Sequence, residues 1–491
     1  GSRTGSTWKH MGPNMSSCLW WPPNTALVRI LPPSLAGSAP GALEPSGSGA
    51  GGKAEAAACA DGRQQAGRDG HQQGAVAAVA AAAEPVPPVI SQWPGYSVKE
   101  VLSLRQQIDL SNWEKGGELS RFAFLNASSL FSTAVVRRHG PVRALPYSLN
   151  SDIANFVLPV RSPEGLCFEE YLEHAAVDGI IILHEGKIAY ERYPRMRQDD
   201  RHLLFSVGKV VVSTLVAILE DRGQIATSQS IEHYLPELAN TGWDGVPVID
   251  ILDMASGIDA PEEVDGAYTD PEVKTYQFEA SLGWLPKVGN LPDSVHREAT
   301  YDFLAELEQA DAPGKAHDYA SVNTMVLAWL VERVTGHSFA DVLSEEIWGR
   351  MGAEADGLVT VNSRGIAAVH GGIISTLHDL ARFGLLFTPS SGVVCSKAVV
   401  SPECLRKIRE GGRPELMAEE DKASSGAHHS TYQWDQVWED GSFFKSGFGN
   451  QGLYVHPDKD LLVAFFGTHG YGEDALPMPE EVCREMLCCL Y

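Results

Sequence analysis

Basic charge is scarce in this chain. Its 491 residues include 38 Lys and Arg against 63 Asp and Glu, a formal net charge of −25. Phosphate binding needs clustered Lys and Arg, so nucleic acid is excluded as an expected partner, and an anionic membrane surface would repel the chain. Long apolar runs are missing too. The longest candidates, residues 75–83 and 210–219, fall short of the roughly 18 residues that a spanning helix needs. The eight cysteines form no CxxC pair and no histidine stands at zinc-ligand spacing, so neither a metal nor an organic cofactor is expected. Adjacent Cys488 and Cys489 suit free thiols, and mainly reduced cysteines point to the cytoplasm. A G-x-S-x-G elbow is absent, which leaves His184, His370 and His378 without such a nucleophile; His370, ahead of Gly371-Gly372, reads as structural.

Periodic pattern is also lacking at the start. Residues 1–11 (GSRTGSTWKHM) read as a vector remnant, and a signal peptide within residues 15–36 has no basic beginning and is interrupted by prolines. Residues 12 to about 95 are rich in Gly, Ala, Pro, Ser and Gln. Such a stretch buries too little surface to offset its chain entropy, so residues 1–95 are expected to be a disordered tail. Residues 96–491 are expected to fold as one domain, and a hydrophobic fraction of 44% is enough for a substantial core.

Ordered patterns fill that second part. Residues 178–193 (DGIIILHEGKIAYERY) are two β-rich runs around Glu185-Gly186-Lys187, and residues 451–468 repeat the pattern around Pro457-Asp458-Lys459-Asp460. Both predict hairpins, and Asp458-Lys459-Asp460 is a hairpin tip rather than a metal site. Helical spacing marks residues 206–222, ending at Gly223, and 324–335, ending at Gly336, with two more runs at 377–387 and 479–490. Strands at both ends around a helical middle predict an α+β fold: an antiparallel β-sheet flanked by helices, with an inserted helical subdomain. Residues 259–299 form a long connection carrying Tyr268, Tyr276 and Trp284, and long connections often shape pockets. Acidic residues 415–421 read as a solvated loop.

The chemistry starts at Phe205-Ser206-Val207-Gly208-Lys209, directly ahead of the apolar helix. Positions i and i+3 share a helix face, so Ser206 and Lys209 meet. A place on the first turn also aims free backbone N–H groups and the positive dipole end at the hydroxyl. A serine hydroxyl is a weak nucleophile until a neighbour takes its proton, and a desolvated lysine can do so. Neutral lysine near pH 7 needs a pKa drop of ~3 units, or ~4 kcal/mol. A tyrosine phenolate held by cationic lysine is the rival arrangement, and sequence does not choose between them.

S-x-x-K alone is weak: it occurs at Ser6, Ser206 and Ser442, and its ordinary reading is a serine cap with an exposed lysine. Two further segments add to it. Tyr319-Ala320-Ser321-Val322-Asn323-Thr324 precedes an apolar helix; its ordinary reading is a packed tyrosine and an N-cap from Ser321, Asn323 or Thr324. Lys445-Ser446-Gly447-Phe448-Gly449 runs into the last hairpin, where small residues let a substrate approach the backbone and a peptide N–H serve an oxyanion hole.

Together, in this order, the three resemble the S-x-x-K, Y-x-N and K-T-G elements of the serine β-lactamase and penicillin-binding-protein superfamily. The finer likeness is to its class C-like branch, which holds esterases and the nylon-oligomer (6-aminohexanoate dimer) hydrolases. It covers most of the chain after about Ser97, with filler stretches at 113–138, 178–193, 248–257, 319–336, 371–384 and 447–457. The resemblance implies that Ser206 is acylated, Lys209 activates it, and Tyr319 is the base in acylation and the acid for the leaving group. It places the oxyanion hole at the N–H groups of Ser206 and Phe448, and substrate contacts at Tyr268, Ser321, Lys445 and Gly447. Two departures stand out. Ser321 replaces the asparagine of Y-x-N and Ser446 the threonine of K-T-G, so the pattern lies nearer the esterases and amide hydrolases than the β-lactamases.

The expected activity is therefore a serine hydrolase cleaving small esters or linear amides. Acyl transfer to another acceptor, or a non-catalytic protein on the same scaffold, is the alternative. The expected partner is the small-molecule substrate, with homo-oligomerisation left open.

Overall fold

Glu185 and Gly186 both adopt left-handed backbone, with φ of 49° and 70°. That is the two-residue turn whose twist suits a hairpin, and it joins the first predicted pair of strands. In chain order the strands are Thr133–Val136 (β1), Val177–His184 (β2), Lys187–Arg192 (β3), His202–Leu203 (β4), Gly357–Thr360 (β5) and Ile373–Ser375 (β6). His429–Thr431 (β7), Trp434–Val437 (β8), Phe443–Gly447 (β9), Gln451–His456 (β10) and Leu461–Gly467 (β11) follow. A computed structural model describes residues 91, 93–158, 165–469 and 479–491. Apart from residues 91 and 93–95, the expected tail over 1–95 lies outside the described residues.

Among the described residues the strands form a seven-stranded antiparallel sheet, β3-β2-β11-β10-β9-β8-β7, and a smaller one, β1-β5-β6-β4. Four helices matter most: Gly208–Asp221 (α1), Ser321–Thr335 (α2), Leu377–Leu385 (α3) and Pro479–Leu490 (α4). The sheet is covered on both faces, which explains the unbroken run Ile180-Ile181-Ile182-Leu183. Successive side chains on a strand point to opposite faces. Ile181 and Leu183 pack in one core with residues of α1, α2 and α3. Ile180 and Ile182 pack in a second core with Phe168, Tyr171 and, from α4, Cys483 and Met486. Between β4 and β5 every regular element is helical, among them α1 and α2, which pack in the core of the sheet. The α+β expectation holds. No described helix is long and apolar enough to cross a membrane.

Three local expectations fail. Residues 259–299 are not a plain connection: they contain helices Lys274–Ser281 and Asp293–His296, because Phe278 and Val295 reach the core. The acidic stretch 415–421 is half helix, since Glu419–Ser425 is helical. The start of α2 is not capped by Ser321, Asn323 or Thr324. Ser321 is already its first residue, and its N–H donates to a carboxylate from far away in sequence, Glu262.

Candidate active site

Phe205 has φ of 45°, a left-handed conformation that costs a bulky residue of order 1–3 kcal/mol. Aromatic packing holds it there: Trp113 stacks at 6.0 Å between ring centroids, Phe124 lies at 4.7 Å and Phe448 at 5.4 Å. The bend presents Ser206, in a short 3-10 turn (Phe205–Val207), just before α1 begins at Gly208. The α-helix proper thus starts two residues later than its pattern suggests, after that 3-10 turn. The i, i+3 relation survives, and Ser206 stays partly open while its neighbours Phe205 and Val207 are buried.

Lys209 is 1% exposed. Its Nζ lies 2.9 Å from Ser206 Oγ and donates to the His370 carbonyl at 3.2 Å. Burial pushes its pKa from 10.5 down to about 8, against the opposing pull of Glu262; Lys445 lowers it further, and Glu279 and Asp435 raise it. Tyr319 packs beside it, with Lys209 Nζ 5.0 Å from the ring centroid and Lys445 Nζ 4.8 Å. Lys445 Nζ also donates to the Tyr319 hydroxyl at 3.2 Å. A hydroxyl, a phenol and two ammonium groups from three distant segments therefore share one locus.

Strand β9 borders it. A methyl group on Gly447 would come within 2.8 Å of the Leu204 carbonyl and 3.2 Å of the Ser206 nitrogen, so only glycine lets the strand run this close to the nucleophile. Phe448 follows at the head of the β9–β10 turn. Tyr268 and Ser321, the other predicted substrate contacts, are joined by Glu262: its carboxylate accepts from the Tyr268 hydroxyl at 2.8 Å and from the Ser321 N–H.

Sequence reasoning missed Glu262, Asp435 and the role of the His370 carbonyl. Asp435 pairs with Lys445 and accepts from Ser446 N–H at 2.9 Å and Ser446 Oγ at 2.7 Å. A signal for Asp435 existed: Asp440-Gly441 is a hairpin turn sequence, and the register Gln436↔Phe444 brings Asp435 opposite Lys445 one step further on. Glu262 had none, since nothing local ties it to Ser321. His317 lies in the same region, where burial drives its imidazole down to about 4 despite Asp435. Among the described residues, no group of three or more His, Cys, Asp or Glu could hold a metal ion.

Residues 167–482 match the family model described as Beta-lactamase. The chain belongs to the beta-lactamase family. It is 33% identical over 360 residues to the 6-aminohexanoate-dimer hydrolase of Paenarthrobacter ureafaciens, covering 72% of this chain and 86% of that one. A Bacillus anthracis protein provisionally named a 6-aminohexanoate-dimer hydrolase superposes with a TM-score of 0.65 at 22% identity, over 79% of this chain and 97% of its own. One from Bacteroides dorei, provisionally named a beta-lactamase, gives 0.50 at 16% identity, over 65% and 96%. Both structural likenesses carry the fold alone. The beta-lactamase fold and a hydrolase family are thus shown, and Ser206, Lys209 and Tyr319 occupy one locus within them.

Proposed function

We propose that this beta-lactamase-family chain hydrolyses small esters or linear amides through an acyl-enzyme on Ser206. The observation that carries the reading is the 2.9 Å contact between Lys209 Nζ and Ser206 Oγ, in a setting that brings the lysine to about 8. At that value about one lysine in ten is neutral at pH 7, against about three in ten thousand for an ordinary one. The serine proton moves to Lys209 as Oγ attacks the substrate carbonyl. Charge on the carbonyl oxygen falls to the N–H groups of Ser206 and Phe448; a Cβ on Gly447, the residue before Phe448, would lie 3.2 Å from the Ser206 nitrogen, which supports this reading. Tyr319, held by Lys445, then gives its proton to the departing oxygen or nitrogen. Water repeats the sequence in reverse and frees the acid.

The 33% identity to a 6-aminohexanoate-dimer hydrolase supports linear amides as one substrate class. A fluorophosphonate probe tests the nucleophile: the wild type is labelled and Ser206→Ala is not. Folded wild-type protein that takes up no probe overturns the reading.

A further inference from the structure

The turn between β7 and β8 is built from two residues that rarely suit it. Tyr432 and Gln433 have φ of 47° and 66°, the left-handed pair that a tight hairpin normally gives to Asn-Gly. Side-chain bonds hold them there. The Tyr432 hydroxyl donates to Glu220 at 2.7 Å, and Gln433, 2% exposed, has both polar atoms of its side chain paired. Its Nε2 donates to the carbonyls of Ile251 and Leu252 at 3.0 and 3.2 Å, at the end of helix Val248–Leu252. Its Oε1 accepts from the buried Thr324 hydroxyl at 2.6 Å, in the first turn of α2. We propose that Gln433 is a positioning residue for Tyr319: it pins the start of α2 to strand β8, and so fixes the Tyr319 hydroxyl against Lys445. The inference rests on the acyl-enzyme reading above and deepens it.

The links form a closed ring. Tyr319 stands just ahead of α2, whose Thr324 bonds Gln433. A little further along the same strand, Asp435 pairs with Lys445, and Lys445 Nζ returns to the Tyr319 hydroxyl at 3.2 Å. The segment Ile251–Met254 closes the other side. Besides the Gln433 side-chain amide it accepts the Gln433 backbone N–H, at Leu252 and 2.9 Å. Its Met254 carbonyl accepts from the N–H of Asp318, the residue before Tyr319, at 2.7 Å. Gln433 therefore grips both stretches of chain that bracket Tyr319. Ser206 and Lys209 lie on a different segment and keep their own contact at 2.9 Å. Loosening the Thr324–Gln433 bond should displace the proton donor while nucleophile and base stay together. Proton transfer works only within hydrogen-bond reach, and a misplacement of about 1 Å is costly.

The test uses two acetates that give the same acyl-enzyme, 4-nitrophenyl acetate and ethyl acetate. In acylation the bond from Ser206 Oγ to the carbonyl carbon forms, the serine proton goes to Lys209 and the ester C–O bond breaks. Ethoxide then needs the Tyr319 proton to leave as ethanol, whereas 4-nitrophenolate leaves without one. Acylation is the step that kcat/KM reports. Tyr319→Phe is expected to lose about a hundredfold or more in kcat/KM on ethyl acetate and little on the nitrophenyl ester. Thr324→Val removes the hydroxyl and keeps the shape; it is expected to lose about tenfold or more on ethyl acetate alone. Thr324→Ser restores the hydroxyl and should return the ratio of the two rates to that of wild type. A variant that merely yields less folded protein loses both rates alike. Should Thr324→Val not fold, Gln433→Met removes the same bond from the other side, with the same selective loss expected. Equal losses on both esters, or Thr324→Ser as impaired as Thr324→Val, overturn the proposal. A selective loss in Tyr319→Phe without one in Thr324→Val or Gln433→Met overturns this inference alone. Equal losses in Tyr319→Phe, or wild type that fluorophosphonate does not label, overturn the reading beneath it as well.

Discussion

The protonation of Lys209 should set the acid limb of the rate, and Glu262 offers a clean way to move it. Burial is the main force lowering this lysine, and Glu262 is the strongest influence opposing it. Glutamine at 262 removes the charge yet keeps an acceptor for the Ser321 N–H and a donor for the Tyr268 oxygen, so the local geometry is retained. If neutral Lys209 is the active form, kcat/KM of wild type rises with pH through a midpoint near 8. Removing an anion lowers the pKa of a nearby cation, so the Glu262→Gln limb moves to lower pH; Glu262 acts through the field rather than in contact, and roughly one unit is the scale of the shift. At pH 6.5 the variant should then run at roughly eight times the wild-type fraction of its own plateau. Rates with a neutral aryl ester from pH 5.5 to 9.5, together with the labelling rate of the fluorophosphonate, measure this twice. A limb that stays in place, or moves to higher pH, refutes the assignment of Lys209 as the titrating group.

Three other outcomes follow from the same geometry. Tyr319→Phe should lose roughly 10²–10⁴ in kcat while its thermal melt stays close to wild type, the range for a proton-transfer group; near-normal turnover rules out its role. Gly447→Ala should cost about 1–3 kcal/mol of stability by overpacking and about a hundredfold in kcat by pushing on Leu204 and Ser206, read by denaturant melts and steady-state rates. His378 gives a pH signature of stability. Burial lowers its pKa, but Glu191 and Glu354 outweigh burial and raise it to about 9. Its stabilisation is complete below 6.5 and is lost as pH rises through 9, with about 1.5 kcal/mol going between pH 6.5 and 8. Lys209 acts with the opposite sign above pH 8. Desolvation raises the carboxyl of Glu114 to about 8 and those of Glu263 and Glu480 to about 7, so they titrate in the same window. The histidine's share is therefore the difference between wild type and His378→Asn; an equal loss in His378→Asn contradicts the assignment.

Much of the fold was legible because its signals are local. The turn at Glu185-Gly186, the stop at Gly336 and the apolar spacing of residues 377–387 each depend on a handful of neighbours, and each predicted element is present. The meeting of Ser206 and Lys209 was legible for the same reason, since three residues of separation place them on one helical face. What escaped was set by distant partners. Asp293–His296 is helical because tertiary packing of Val295 overrides a sequence that reads as a connection. The cap of α2 comes from Glu262, 59 residues away, which no local capping rule can find.

The missed residues have a common character that bears on how this site works. Glu262 and Asp435 are both carboxylates that accept two or more donors, and each ties a predicted substrate contact to the frame: Tyr268 and Ser321 for one, Lys445 for the other. The sequence motifs mark the groups that react, all of which are donors or cations. Two lysines buried at 1% and 0% exposure within 5 Å of one phenol ring are not tolerable without compensating anions. Some carboxylate had to be close to each lysine on energetic grounds, and the structure supplies Asp435 on Lys445 directly and Glu262 on Lys209 through the field. That difference in distance matters for catalysis. Lys445, paired in contact with Asp435, is held where it orients Tyr319, whereas Lys209, whose anion acts only from a distance, is left near the pKa at which it can take a proton and give it back.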